Sequence, residues 1–324
     1  MNIKKNIILY IILILILLLS GFFVINKIIN KKSSEKIFKV GITQIVEHES
    51  LDKARQGFID ELKNLGYHEN KNIKFDIQIA GGDLSNCESI AQKFVSDNCD
   101  LILAISTPAA QAVANATKNI PILVTAITNP EESNLVKFNN KPDTNITGTS
   151  DLPPIEKTIE LMIKLKPDLQ KIGVLYSNID VSPLYQAKIA KKKIENLNLE
   201  AKLVPVSQIS EVEQVTNKLI KEVDALYIPI DKTTIASMPL ISNIALENNK
   251  FVACSENIRN KGVLLTYGID YYELGKKTAH QAVKILENKS KPQDMPIEYL
   301  SDCKPFVDKN IAEKLNINIP DELY

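Results

Sequence analysis

The sequence has no surplus of charge: 39 lysines and arginines offset 39 aspartates and glutamates among 324 residues, for a formal net charge of +0. Without a basic surplus there is no electrostatic footprint for gripping nucleic acid. Paired cysteines are missing too. Cys87, Cys99, Cys254 and Cys303 form no CxxC pair, and His48, His68 and His280 are scattered, so no spacing supports a metal site. Cys87 and Cys99 flank one expected helix about 18 Å apart at helical rise, beyond disulfide reach, and are expected as buried thiols. Nucleotide and nucleophile signatures are absent as well. The GGDLSN stretch at Gly81 and Gly82 lacks GxGxxG spacing, and neither GxxxxGKS nor GxSxG occurs. No nucleophile or base constellation marks an enzyme, and no cofactor is expected.

With 44% apolar, 24% charged and only 6% aromatic residues, the composition is that of a globular protein long enough for two modest domains. The beginning differs from the rest. After Lys4 and Lys5, a charge-free apolar run from Ile7 to Ile25 would span about 28 Å as a helix, near the thickness of a bilayer core. No small-x-small cleavage site follows it, so it reads as an uncleaved membrane anchor. Lys27, Lys31, Lys32 and Lys36 follow on the far side, which leaves its orientation open.

From Phe38 short apolar strands alternate with amphipathic helices. FKVGI reads as a strand, and Leu51, Ala54, Phe58, Leu62 and Leu65 then recur at helical spacing up to Gly66. A strand from Ile73 to Ile79 precedes a helix whose expected capping box is Ser85 with Glu88. LILAI and ILVTAI read as buried strands around a helix with Thr107 as N-cap and Pro108 at its first position. After the NNKPDTN and DLPP loops the pattern restarts with KIGVLY, AKLVPV, ALYIPI, FVACS and VLLTY as strands, and ends in a long helix from Tyr271 to Leu286. The KIAKKKIEN run reads as a solvated helix face. The fold class is therefore α/β: two similar halves, each read as a parallel sheet with helices on both faces. DLILAISTPAA and DALYIPIDKTTIA echo each other, and in such sheets ligands bind beyond the strand carboxyl ends.

The best anion site is the loop Ser106, Thr107, Pro108, Ala109, where amides at a helix N-terminus and two hydroxyls suit a carboxylate, unless Thr107 serves only as a cap. Asp231, in the matching loop of the second half, suits a ligand ammonium or else caps its own helix. His48 follows the first strand, as a plain loop residue or a ligand contact.

The stretches VGITQIVEHESLDKARQGFIDELKNLGY, IAQKFVSDNCDLILAISTPAAQAVANATKNIPILVTAITNPEESNLV and GVLLTYGIDYYELGKKTAHQAVKILENK resemble the ABC-transporter substrate-binding family that includes tryptophan- and tyrosine-binding lipoproteins. The resemblance implies a type I periplasmic-binding-protein fold, two Rossmann-like lobes joined by three hinge crossings. It divides the chain into 1–36, anchor and linker; 37–149, a first lobe completed by about 257–288; and 150–256, a second lobe completed by about 289–324. Carried over by motif, the ligand-binding positions are Thr43, Gln44, Ser106, Thr107, Pro108, Ala109, Ala126, Thr128, Asn129, Ser177, Asn178, Asp231, Ser255, Glu256 and Tyr267. The implied function is capture of a small solute, an aromatic amino acid such as tryptophan, tyrosine or phenylalanine. Delivery would be to the permease and ATPase subunits of an importer at the extracytoplasmic face of the cell membrane. A sugar or purine binder and a ligand sensor remain alternatives. Three departures stand out: YSNIDVSP replaces the family's YNSSEANS, PIDK with Lys232 replaces PTDN, and Phe22 rather than a lipidated cysteine follows LLLSG.

Overall fold

The structure, a computed structural model, describes residues 36–179, 181–259, 261–301 and 303–323. The expected anchor run lies outside the described residues. Among the described residues no helix is long and apolar enough to cross a membrane.

Two six-stranded sheets carry the fold. The first contains β1 (Phe38–Gln44), β2 (Ile73–Ile79), β3 (Leu101–Ile105), β4 (Ile122–Ile127), β5 (Ile146–Ser150) and β11 (Glu298–Tyr299). The second contains β6 (Lys171–Ser177), β7 (Glu200–Val206), β8 (Ala225–Ile228), β9 (Phe251–Cys254), β10 (Leu265–Thr266) and β12 (Phe306–Val307). Their orders, β11-β5-β4-β3-β1-β2 and β12-β10-β9-β8-β6-β7, are the same doubly wound pattern used twice. Among the described residues all strand pairings are parallel except β10 with β12. Thus β3 and β8, the two echoing stretches, hold equivalent places. Each lies next to the first strand of its lobe, where the strand order reverses and the following loops diverge.

Alternation along each strand feeds two apolar layers per sheet. Val40 and Ile42 of β1, with Leu101, Leu103 and Ile105 of β3, pack on α1 (Glu49–Asn64) through Phe58 and Leu62 and on α9 (Tyr271–Leu286) through Ala279 and Ala282. Ile102 and Ala104 face the other way, toward α2 (Leu84–Ser96) and α3 (Thr107–Ala116). The second sheet is sandwiched likewise. On one side lie α4 (Ile155–Leu165), α5 (Val181–Asn196) and α10 (Lys309–Lys314); on the other lie α6 (Val212–Leu219) and α8 (Met238–Glu247). The short α7 (Lys232–Ala236) follows β8. Helices α1 and α9 touch backbone to backbone, since a Cβ on Gly57 would lie 2.0 Å from Tyr272 O and one on Gly275 2.0 Å from Ala54 O.

The chain passes between the sheets three times: after β5, after β10 and after β11. Sheet membership moves two boundaries of the sequence reading. Residues 257–266 stay with the second lobe, because β10 pairs with β9; residues 289–299 stay with the first, because β11 pairs with β5. VLLTY reads as a strand, yet the sheet it joins is set by pairing, and the two-residue β11 shows no alternation. The capping box also shifts. Asp83, not Ser85, caps α2, and Ser85 donates its backbone N–H and its hydroxyl to Asp83 Oδ1 at 2.7 Å.

Candidate functional site

The carboxyl ends of β1, β3, β4 and β5 in one lobe, and of β6, β8, β9 and β10 in the other, bear the residues singled out by sequence. These two edges face each other. Ser182 Oγ of α5 donates to Thr128 Oγ1 after β4 at 2.8 Å, Tyr185 of the same helix reaches Asn129, and Glu256 after β9 feels the charges of His48 and Glu49 after β1.

In the first lobe Thr43 sits beside Ala104 of the neighbouring β3, and Ser106 directly follows that strand. Ser106 has φ 81 and ψ 155, a region that is nearly glycine-only, and Ala126 has φ 55 where the β4–β5 register slips. Backbone strain of this kind costs about 1–3 kcal/mol per residue and gathers at functional sites. The Thr43 and Ser106 hydroxyls are buried without a hydrogen-bond partner among the described residues. Ser106, rather than Thr107, is the N-cap position of α3, with Pro108 inside the first turn, yet no side chain caps the helix. The amides of Thr107 and Ala109 therefore have neither an intrahelical acceptor nor a side-chain cap. Amides, hydroxyls and the positive helix end have the polarity that suits a carboxylate.

In the second lobe Asp231 caps α7. Its Oδ1 accepts from Thr233 N at 2.8 Å and Thr234 N at 3.4 Å, while Ser177 N donates to its Oδ2. Both readings of this residue thus meet: it is a buried cap that ties the β8 loop to the β6 loop across the switch point. Glu256 is different. Its carboxylate has no hydrogen bond or close ion pair among the described residues, and burial pushes its pKa above the ordinary 4.5; nearby Asp151 and Glu49 push the same way, while His48 and Lys261 oppose them. The Glu256 loop is held rigidly. Glu256 N donates to Cys254 Sγ at 3.3 Å, and Asn257 bridges Gly268 N at 3.1 Å and Ile269 O at 3.1 Å. A Cβ on Gly268 would lie 2.5 Å from Asn257 N, so only glycine allows that approach.

At the first crossing Asp151 accepts from Thr128 Oγ1 at 2.9 Å and from Tyr271 Oη at 3.0 Å. Desolvation raises the carboxyl pKa of Asp151 and the phenol pKa of Tyr271. This pair ties the first crossing to the second.

With that geometry in view, comparison with known proteins is decisive. The ABC transporter substrate binding protein family matches residues 39–324. The chain belongs to that family. A curated relative, the tyrosine-binding protein of Clostridioides difficile strain R20291, is 43% identical over 290 residues, covering 89% of this chain and 84% of its own. The ligand-free, open structure of a substrate binding protein with adhesive properties from Clostridium difficile is 40% identical at TM-score 0.78, covering 88% of this chain and 97% of its own. An ABC domain from Streptococcus pneumoniae in complex with L-Trp is 33% identical at TM-score 0.75, over 89% and 97% of the two chains. Sugar-transporter and polyol-binding neighbours at 13–15% identity share the two-lobed fold.

In this substrate-binding protein several expected ligand residues already have protein partners. Gln44 is buried, donating to Val46 O at 2.9 Å and Asp52 Oδ1 at 2.8 Å and accepting from Arg55 at 2.7 Å. Its side chain shapes the β1 loop. Thr128 is occupied by Asp151 and Ser182, and Asn129 Oδ1 accepts from Asn139 Nδ2 at 2.8 Å and from Glu131 N at 3.2 Å. Ser177 Oγ accepts from Ile179 N at 3.2 Å, Ser255 Oγ shares a 2.6 Å hydrogen bond with the buried Tyr227, and Asn178 and Lys232 are exposed. His48 caps α1 through Nδ1, which accepts from Ser50 N at 3.3 Å. Tyr267 continues from β10, is 7% exposed and contributes an aromatic ring at the same edge. Sequence reading missed Asp151, Tyr271, Ser182 and Gln186. Only the place of Asp151, directly after a strand end, offered a signal. The depressions around Gln111, Lys118 and Asn145 and around Tyr67, His68 and Phe75 include none of these residues.

Proposed function

We propose that the cleft binds an aromatic L-α-amino acid and that the protein hands it to the permease and ATPase subunits of an importer. The observation that carries this reading is a matched pair of unmet groups on facing edges. The buried Thr43 and Ser106 hydroxyls beside the open α3 amides suit a carboxylate, and the partnerless Glu256 carboxylate suits an ammonium. Asp231, already holding three backbone N–H groups, positions the loop and adds negative potential beside the ammonium. The tyrosine-binding and L-Trp-bound relatives support an aromatic side chain, with Tyr267 as one wall. Tethering by the 7–25 apolar run, at the extracytoplasmic face, completes the proposal.

Mass spectrometry of the small molecule that copurifies with residues 36–324 tests the ligand class. Tyrosine, phenylalanine or tryptophan is the expected mass; a sugar, polyol or purine would overturn the assignment.

A further inference from the structure

One unbroken line of hydrogen bonds runs from the hinge to the loop that carries Asp231. Tyr271 and Thr128 both donate to Asp151, at 3.0 and 2.9 Å. A hydroxyl has a single proton, so Thr128 has only lone pairs left to offer the other lobe. Ser182, in the first turn of α5, donates to it at 2.8 Å. One turn on, Gln186 donates to Ser182 Oγ at 3.2 Å and clasps Ile230 from both sides, accepting from its N at 3.0 Å and donating to its O at 3.4 Å. Gln186 is fully buried at 0% exposure, and Ile230 immediately precedes Asp231. The hinge carboxylate thus orients the Thr128 hydroxyl, and Ile230 fixes the amide of Gln186 at the other end.

Three crossings allow the lobes to pivot, and the Ser182–Thr128 bond joins residues on opposite sides of that pivot. Opening breaks it. Gln186 spans the gap between that bond and the Asp231 loop, so the contact that registers closure also holds a cleft loop. We propose that Ser182 and Gln186 are positioning residues that form a closing latch: they couple apposition of the lobes to placement of the Asp231 loop without touching ligand. YSNIDVSP, the divergent stretch that contains Ser182, then departs from the family pattern where the latch sits rather than where ligand is read.

The ligand arm of the test rests on the aromatic amino-acid reading; a second arm does not. Because the chain contains no tryptophan, L-tryptophan excited at wavelengths beyond the absorption of the ten tyrosines serves as a fluorescent probe. A latch that exists only in the closed state acts on dissociation. Ser182→Ala should therefore raise koff for L-tryptophan about three- to tenfold, the worth of one neutral hydrogen bond, with kon within twofold. Ser182→Thr, which keeps the hydroxyl, should restore koff to within twofold. An unchanged koff, an effect confined to kon, or failure of the threonine rescue would overturn the latch. In the second arm the Thr128→Cys/Ser182→Cys double variant is oxidised without ligand. The hydroxyl oxygens stand 2.8 Å apart, so sulfurs there fall within disulfide reach. A 128–182 linked peptide together with a smaller radius of gyration than the reduced form supports the latch; no link, or a link with unchanged radius, contradicts it. If wild-type protein binds no aromatic amino acid, the proposed function fails while the disulfide arm still decides the latch.

Discussion

Replacing Glu256 by glutamine removes a charge while keeping the size of the side chain, and it separates the two carboxylates near the cleft. Asp231 is already satisfied by three backbone N–H groups, whereas Glu256 has no hydrogen-bond partner among the described residues. A ligand ammonium closed against Glu256 would lose its counter-charge in the variant. Truncating one partner of a desolvated charge pair costs about 2–5 kcal/mol. Glu256 is only partly buried, and the charges of His48 and Lys261 reach it as well, so the lower end applies: about 2–3 kcal/mol, or roughly thirty- to 160-fold in Kd. Calorimetric titration of both proteins with L-tyrosine, L-phenylalanine and L-tryptophan reads this directly. A loss below threefold in Glu256→Gln, alongside a large loss in Asp231→Asn, would place the ammonium on Asp231 and refute the assignment.

Other consequences can be measured on the same protein. Burial raises the Glu256 pKa in the free protein and a bound ammonium would lower it, so affinity should be complete at pH above the free-protein value and fall as pH drops through it; calorimetry from pH 7 downward that shows flat affinity would contradict the pairing. Asp231→Ala deletes the α7 cap and its bond to Ser177, and should lower stability by about 1–2 kcal/mol in urea unfolding, with a smaller affinity loss than Glu256→Gln. Gly275→Ala places a methyl 2.0 Å from Ala54 O and should cost about 1–3 kcal/mol by forcing α1 and α9 apart, visible as a lower urea midpoint with ligand contacts untouched. Phe22 offers no thiol for lipid attachment, so the intact mass of membrane-extracted protein should carry no diacylglyceryl group.

Much of this arrangement was legible in the chain because strand and helix periods are strong signals. The β3 and β8 stretches announced themselves as buried runs ending in polar loops, and Tyr271 to Leu286 was bounded correctly because Asp270 caps it and its apolar face is continuous. The carboxyl-end rule singles out the Ser106 and Asp231 loops, whereas Thr43, Glu256 and Tyr267 come only with the family resemblance. What escaped was non-local. VLLTY is legible as a strand but its pairing with β9 is not, and the two-residue β11 has no periodicity, so the second and third crossings could not be placed. Nor could local pattern show that Gln44 and Thr128 spend their hydrogen bonds on Arg55 and Asp52 and on Asp151 and Ser182, partners set by tertiary packing. Likewise Thr107 looked like the cap of α3. The observed cap position is Ser106, strained and without a capping bond, because its amide is drawn to Thr125 O at 3.1 Å in the neighbouring strand.

The most direct test of the central claim is a calorimetric panel on ligand-stripped residues 36–324, titrated with L-tyrosine, L-phenylalanine, L-tryptophan, L-alanine and myo-inositol. The account predicts that at least one aromatic amino acid binds with roughly hundredfold or greater preference over L-alanine, since a buried aromatic ring contributes about 3 kcal/mol beyond the shared ammonium and carboxylate, and that myo-inositol gives no heat. Tight binding of myo-inositol, or equal affinity for alanine and all three aromatics, would contradict it.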